Sequence, residues 1–278
     1  MEIKIKFCWV IALHAEARPL IEAYRMKIIS NELIFPVYIN HETGHALVIS
    51  GIGPARSAAA ATYLKTLLSI ENYAAWINIG VAGFFKEPIG KIYQALKVLN
   101  WQNNQAFFPG LRLSKYVEGS PLVTVSKPEF KFPSNVLYDM EAAGFCEIAP
   151  LFSCNELTFV FKVVSDTPMT KFDNSKKFVK GLLENNMEII SNLLMQIEEI
   201  VDDEAKRLRM PEEVKEVMAN FHFTESNRHN FEMVYRKWRS TFPDRKFDEV
   251  QPPANSAKAL INNLEKELLD EVKDWTLT

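Results

Sequence analysis

Asp139-Met140-Glu141-Ala142-Ala143-Gly144 joins two different periodicities. Before it, Val136-Leu137-Tyr138 is apolar and suits a short buried strand; after it, Ala142, Ala143, Phe145, Ile148, Ala149 and Phe152 recur at helical spacing. Two acids therefore flank a strand-to-helix corner. A carboxylate there can accept hydrogen bonds from a polyol, each charge-assisted bond contributing roughly 1.5–3 kcal/mol when shielded from water. The same residues also have a purely structural use, with Asp139 capping the helix and Glu141 complementing its N-terminal dipole.

Corners of this kind recur along the chain. Phe7 to Leu13 is a continuous apolar run that fits a strand buried on both faces. His14-Ala15-Glu16-Ala17-Arg18 follows, with Leu20, Ile21 and Tyr24 continuing a helical face. Glu16 thus falls just past the C-terminal end of a strand, where open α/β sheets place ligands, although first-turn dipole complementarity is an alternative use. Glu32 to Tyr38 and His45 to Ile49 read as strands joined by a turn at Glu42-Thr43-Gly44. Ser50-Gly51-Ile52-Gly53-Pro54 leads into an alanine-rich helix over residues 55–68. A glycine-flanked turn lets backbone amides approach an anion or a sugar, but this spacing is neither a Walker loop nor a dinucleotide fingerprint. Ala74 to Ile79 is another buried strand, ending at Gly80-Val81-Ala82-Gly83. Leu157 to Val164 is a further one and delivers Ser165-Asp166, where Asp166 could instead open the Thr167-Pro168 turn. The pattern gives an α/β fold, a three-layer sandwich with a mixed central sheet.

The middle of the chain is less regular. Ile92 to Leu99 and Leu122 to Val125 add strands, and between them Trp101, Phe107, Phe108 and Tyr116 suit core or interface packing, or stacking on a nucleobase. In the segment from Ser126 to Ser134, either Phe130 or Phe132 is a candidate to stack on a nucleobase, with no choice between them. From Ser175 to Val201, Phe178, Leu182, Leu183, Ile190, Leu193, Leu194 and Ile197 predict one long amphipathic helix that closes the domain. The charged stretch from Asp202 to Met210 is the candidate boundary, giving a first domain over 1–203 and a helical C-terminal appendage over 204–278. Helices are expected over Pro211 to Phe221, Glu225 to Ser240 and Ser256 to Trp275, separated by Phe242-Pro243-Asp244 and Pro252-Pro253. The middle one carries Phe231, Val234, Tyr235 and Trp238 on one side, and Arg228, Arg236, Lys237 and Arg239 elsewhere. It suits a docking bundle or a module that engages a protein or nucleic-acid partner.

Composition bounds the function. The 278 residues are 47% hydrophobic and 24% charged, enough for one large domain and an appendage or for two modest domains. A net charge of −3 gives no global pull toward nucleic acid or anionic membrane, so a polyanionic substrate is not expected. Cys8, Cys146 and Cys154 are odd in number and lack metal-ligand spacing; they read as reduced thiols in a cytoplasmic protein. The charged start, Met1 to Lys6, does not precede a signal-peptide core, and no stretch approaches the length of a membrane span.

Taken in order, Ser50-Gly51-Ile52-Gly53, Asn78-Ile79-Gly80-Val81-Ala82-Gly83, the Asp139 hexapeptide and Val163-Val164-Ser165-Asp166 resemble the nucleoside phosphorylase/nucleosidase family. The likeness is greatest to the methylthioadenosine/S-adenosylhomocysteine nucleosidases. It covers roughly residues 3 to 200 and leaves the last quarter unexplained. It implies Glu16 as general base to water, Asp166 as general acid to N7 of the leaving purine, and Glu141 as acceptor for the ribose 2′- and 3′-hydroxyls. Met140 would pack on the sugar, with Ser165, Val81, Gly83, Lys162 and Phe130 as further substrate contacts. The sequence departs from the family at three places. Val81 replaces a hydroxyl residue, Asn78 a phosphate-binding arginine of uridine-phosphorylase relatives, and Lys162 an arginine whose fork a lysine lacks. The implied activity is hydrolysis of the N-glycosidic bond of a purine nucleoside, with a 5′-modified adenosine such as methylthioadenosine, adenosylhomocysteine or 5′-deoxyadenosine as substrate. A nucleoside phosphorylase, or a catalytically weak nucleoside-binding protein with a C-terminal partner module, is the alternative. No cofactor or metal is implied. The expected partners are a small nucleoside and a second copy in a homodimer, with C-terminal helices available to a protein, and neither membrane nor nucleic acid.

Overall fold

The computed structural model describes residues 5–85, 88–113, 117–170, 173, 175–247, 250 and 254–275. Tyr116, Pro252, Pro253 and the charged residues 1–4 lie outside them. The chain divides into two compact units, Met1–Glu204 and Ala205–Thr278.

The first unit is built on one mixed ten-stranded sheet: β1 (Phe7–Ile11), β2 (Lys27–Ile28), β3 (Val37–Asn40), β4 (His45–Ile49), β5 (Ala75–Phe84), β6 (Ile92–Asn100), β7 (Ala106–Phe107), β8 (Glu118–Thr124), β9 (Leu137–Asp139) and β10 (Thr158–Asp166). Every residue of β1 and β4 is buried, as strands covered on both faces require. β1 lies between β4 and β5 and is parallel to both, while β10 runs parallel to β5 on its other side. The C-terminal ends of β1, β5 and β10 therefore share one edge of the sheet. β5 changes neighbours along its length. Its first residues pair with β1, and Gly83 and Phe84 pair with β9. Through the β9–β8, β8–β6 and β6–β10 pairings, four strands close into a ring with β5.

Helices cover both faces. α2 (Pro54–Leu67) and α3 (Ala142–Ile148) pack together, and Ala60, Ala61, Leu64, Phe145 and Cys146 join Cys8, Val10, Val48 and Trp76 in one core. α1 (His14–Ala23) pairs with α4 (Lys176–Glu184) against β1, β5 and β10. The α2–α3 contact is close because Gly144 has no side chain; a Cβ there would overlap the Pro54 carbonyl.

Several boundaries differ from expectation. The strand expected over Glu32 to Tyr38 starts only at Val37, because Pro36 has no N–H for a ladder. β5 does not end at Ile79 but continues through Gly80–Gly83, held by β10 along that whole stretch. The single helix expected over Ser175 to Val201 breaks at Asn185-Asn186, where the Asn186 amide donates to the carbonyls of Leu182 and Gly90. α5 (Met187–Leu208) follows that break, and Lys6 pairs with its Glu198 and Asp202. Trp101 and Phe108 are not core residues: they are 63% and 62% exposed.

The second unit contains α6 (Glu212–Ala219), α7 (Glu225–Thr241) and α8 (Ala257–Trp275). It has its own core, in which Val214, Phe231, Trp238, Ile261 and Leu264 are buried. Among the described residues no helix is long and apolar enough to cross a membrane.

Candidate active site

Glu16, Val81, Gly83, Phe130, Met140, Glu141, Ser165 and Asp166 line one cavity of about 220 Å³ at the edge where β1, β5 and β10 end. That space far exceeds the roughly 10–15 Å³ that holds a single water, so the cavity has room for an organic molecule. Its wall includes five carboxyl side chains, Glu16, Glu129, Asp139, Glu141 and Asp166, and among the described residues no lysine, arginine or histidine.

Glu16 is held from two sides. Its Oε2 accepts the Leu13 N–H at 2.9 Å, closing the start of α1 as the dipole reading anticipated. Its Oε1 accepts the Val81 N–H at 2.9 Å. That N–H is available because β5, leaving β1 and not yet paired with β9, has no strand neighbour on this side. Gly80 admits the carboxylate, since a Cβ there would lie 2.7 Å from Oε1. Burial pushes the Glu16 carboxyl above its ordinary range, opposed by the Val81 N–H, Lys162 and the Leu13 N–H. Each oxygen still has a second lone pair for a proton.

The hexapeptide corner divides its two acids between two tasks. Asp139 is 4% exposed and structural: its Oδ1 accepts the Thr124 hydroxyl at 2.7 Å, and its Oδ2 accepts the Ala142 N–H at 2.8 Å and Lys162 Nζ at 2.9 Å. Glu141 instead reaches across to α2, where its Oε1 accepts the Gly53 N–H at 3.0 Å. Gly53 presents that N–H from φ 112°, a conformation that strongly favours glycine. Burial, then the Asp139 charge, push Glu141 up to about 7.

Lys162 does not line the cavity. It is 1% exposed and stands behind the wall, paired with Asp139. Burial alone would push its ammonium down, yet Asp139 and Glu141 hold it above its ordinary value. It is the cation that makes a cluster of buried acids tolerable.

At the end of β10 the register with β5 slips between Val164 and Asp166, leaving Ser165 as an extra residue. Such a bulge re-aims the side chain that follows. Asp166 consequently lies against Gly83, where a Cβ would come within 3.1 Å of its Oδ2. The Ser165 hydroxyl donates to Asp166 Oδ1 at 2.6 Å. Burial raises the Asp166 carboxyl, and the serine bond offsets part of the rise.

The two loop phenylalanines separate. Phe132 is buried, packs edge-on against Tyr138 and fills the space beside Gly83, from a backbone in the left-handed region at φ 45°. Phe130 is 70% exposed at the cavity and free to cover a ligand. Asn78, a candidate phosphate position, is buried in the sheet and donates to the Val10 carbonyl at 2.9 Å. Sequence reasoning missed the Thr124–Asp139–Lys162 network, whose members are spaced too widely in the chain to form a motif. It also missed Glu129, which stands beside Phe130 in the cavity wall. Among the described residues no group of three His, Cys, Asp or Glu is placed to hold a metal ion.

No protein-family model matches the sequence, and no curated protein matches it by sequence. Solved structures match by fold. The Arabidopsis thaliana 5′-methylthioadenosine nucleosidase superposes with a TM-score of 0.57 at 16% identity, over 70% of this chain and 96% of that one. The Campylobacter jejuni 5′-methylthioadenosine/S-adenosylhomocysteine nucleosidase gives 0.55 at 17%, over 69% and 98%. The Neisseria meningitidis enzyme, in complex with methylthio-immucillin-A, gives 0.53 at 18%, over 68% and 98%. The chain thus has the nucleoside phosphorylase/nucleosidase fold, as its four sequence blocks led us to expect.

Proposed function

We propose that the first unit hydrolyses the N-glycosidic bond of a purine nucleoside, with a 5′-modified adenosine as substrate. The observation that carries this reading is the convergence of Glu16, Glu141 and Asp166, from three separate corners, on one cavity with no basic side chain in its described wall. Breaking the bond places positive character on the ribose and negative charge on the departing base, a problem that paired carboxyl groups solve in glycoside hydrolysis. Asp166, whose proton affinity burial raises, is the general acid that gives a proton to the purine nitrogen as the C1′–N bond breaks. Glu16 takes a proton from the water whose oxygen forms the new bond to C1′. The products are free base and free sugar. Glu141 accepts the ribose hydroxyls, Met140 packs on the sugar, and Phe130 covers the base.

The wall also argues against phosphorolysis. With Asn78 turned into the sheet, no described residue of the lining offers attacking phosphate a cationic donor. Incubation with methylthioadenosine, adenosylhomocysteine, 5′-deoxyadenosine, adenosine and inosine, with and without phosphate, tests the assignment by chromatography of the products. We expect free base and free sugar at a rate indifferent to phosphate; a sugar 1-phosphate product would refute hydrolysis. The second reading, a nucleoside-binding protein without turnover, is favoured by Val81, which offers no hydroxyl at the cavity wall. Saturable nucleoside binding with no base released from any substrate would install it.

A further inference from the structure

The second unit has a cavity of its own, of about 260 Å³, between the end of α5 and the face of α7. Its wall carries Lys206, Arg207, Arg209, Arg236 and Arg239 and, among the described residues, no carboxylate. Arg236 and Arg239, three residues apart on α7, point to the same side. Each is oriented by a bond made elsewhere: Arg236 Nη2 to Glu232 at 3.2 Å, and Arg239 Nη1 to the Arg245 carbonyl at 2.8 Å. The Arg236 Nε–H is buried and has no partner. A buried N–H of a guanidinium left unpaired costs more than an ordinary unmade bond.

We propose that this cavity binds a small phosphate-bearing molecule. Arginine forks match the tetrahedral oxyanion in a way that single ammonium groups do not. The cations line one concave space instead of forming a stripe, which fits a compact monoester better than an extended nucleic-acid backbone. Met210, Pro211 and buried Tyr235 give one side of the cavity an apolar surface for whatever carries the phosphate. The site does not depend on the nucleosidase reading, because it shares no residue with that cavity.

Calorimetric titration of the full chain with inorganic phosphate and with ribose 5-phosphate, using ribose as the phosphate-free control, tests the proposal. Saturable binding of the two phosphate probes is expected, weakening as salt rises from 0.05 to 0.2 M, with none for ribose. Arg209→Glu changes an exposed residue and should weaken binding by roughly tenfold or more without lowering the melting temperature. The double variant Arg236→Gln/Arg239→Gln should do at least as much, while Lys237→Gln, outside the lining, should bind as wild type does. Absence of saturable binding, or affinity unchanged in both Arg variants, would overturn the proposal. Binding of a single-stranded RNA 20-mer that is lost in these variants, with neither phosphate probe bound, would replace the small ligand by nucleic acid.

Discussion

At the scale of single residues, the site is a set of carboxyl groups whose proton affinities differ by environment. The contrast between Asp166 and Glu141 yields a test of roles. Asp166→Asn keeps size and hydrogen bonding but removes the transferable proton, so kcat should fall by about 10²–10⁴-fold with little change in nucleoside affinity. Glu141→Gln should damage binding as well as rate. The sign of the pH effect follows from burial pushing Glu141 up to about 7: in the proposed role ribose hydroxyls donate to its ionised form, so binding would release a proton below that pH. Affinity should therefore fall about tenfold per unit below pH 7 and level off above it, and Glu141→Gln should flatten the profile. A pH-independent wild-type affinity between pH 5 and 7 would remove Glu141 from this role. Of these residues Glu16, Glu141 and Asp166 were legible in the sequence, since each stands at or just past the end of a strand. Lys162 was misplaced, because a lysine within an apolar strand gives no sign of which carboxylate will neutralise it. The choice between Phe130 and Phe132 was equally hidden. Two residues apart, they look alike until the left-handed turn at Phe132 sends that ring inward.

At the scale of elements, position is set by close approaches. α2 and α3 touch through Gly144 and the Pro54 carbonyl, and the same contact brings the Gly53 N–H to Glu141. Gly144→Ala should thus do two things at once. Overpacking of this kind typically costs 1–3 kcal/mol, which a thermal melt would register. Separating α2 from α3 would also withdraw the Gly53 N–H, a bond that holds Glu141 in its ionised form, and so shift the pH profile of nucleoside binding to higher pH. A destabilised variant with an unmoved profile would show that the glycine serves packing alone. The helices and most strands were legible from periodicity. What local pattern could not supply was the continuation of β5 through its glycines, which depends on β10 lying alongside, or the break at Asn185-Asn186, which depends on the distant Gly90 carbonyl.

At the scale of the molecule, sheet closure and charge segregation are the properties least visible in the chain. Ring closure requires β5 to exchange β1 for β9, and no local pattern specifies a strand's second neighbour. A net charge of −3 likewise conceals one cavity whose charged side chains, among the described residues, are all acids and another whose charged side chains are all bases. The two units have separate cores, which leads to a prediction about cooperativity. Trp238 is fully buried in the second core and donates its Nε1–H to Glu267 at 2.7 Å. Trp238→Ala should cost about 3–5 kcal/mol, a large part of the stability of a unit spanning only Ala205–Thr278. In scanning calorimetry we expect that variant to lower or abolish one transition and leave the other, together with nucleoside cleavage, in place. Added nucleoside should raise only the surviving transition, because a ligand stabilises the unit that binds it. A single endotherm that shifts as a whole with both the substitution and the ligand would show instead that the units unfold as one.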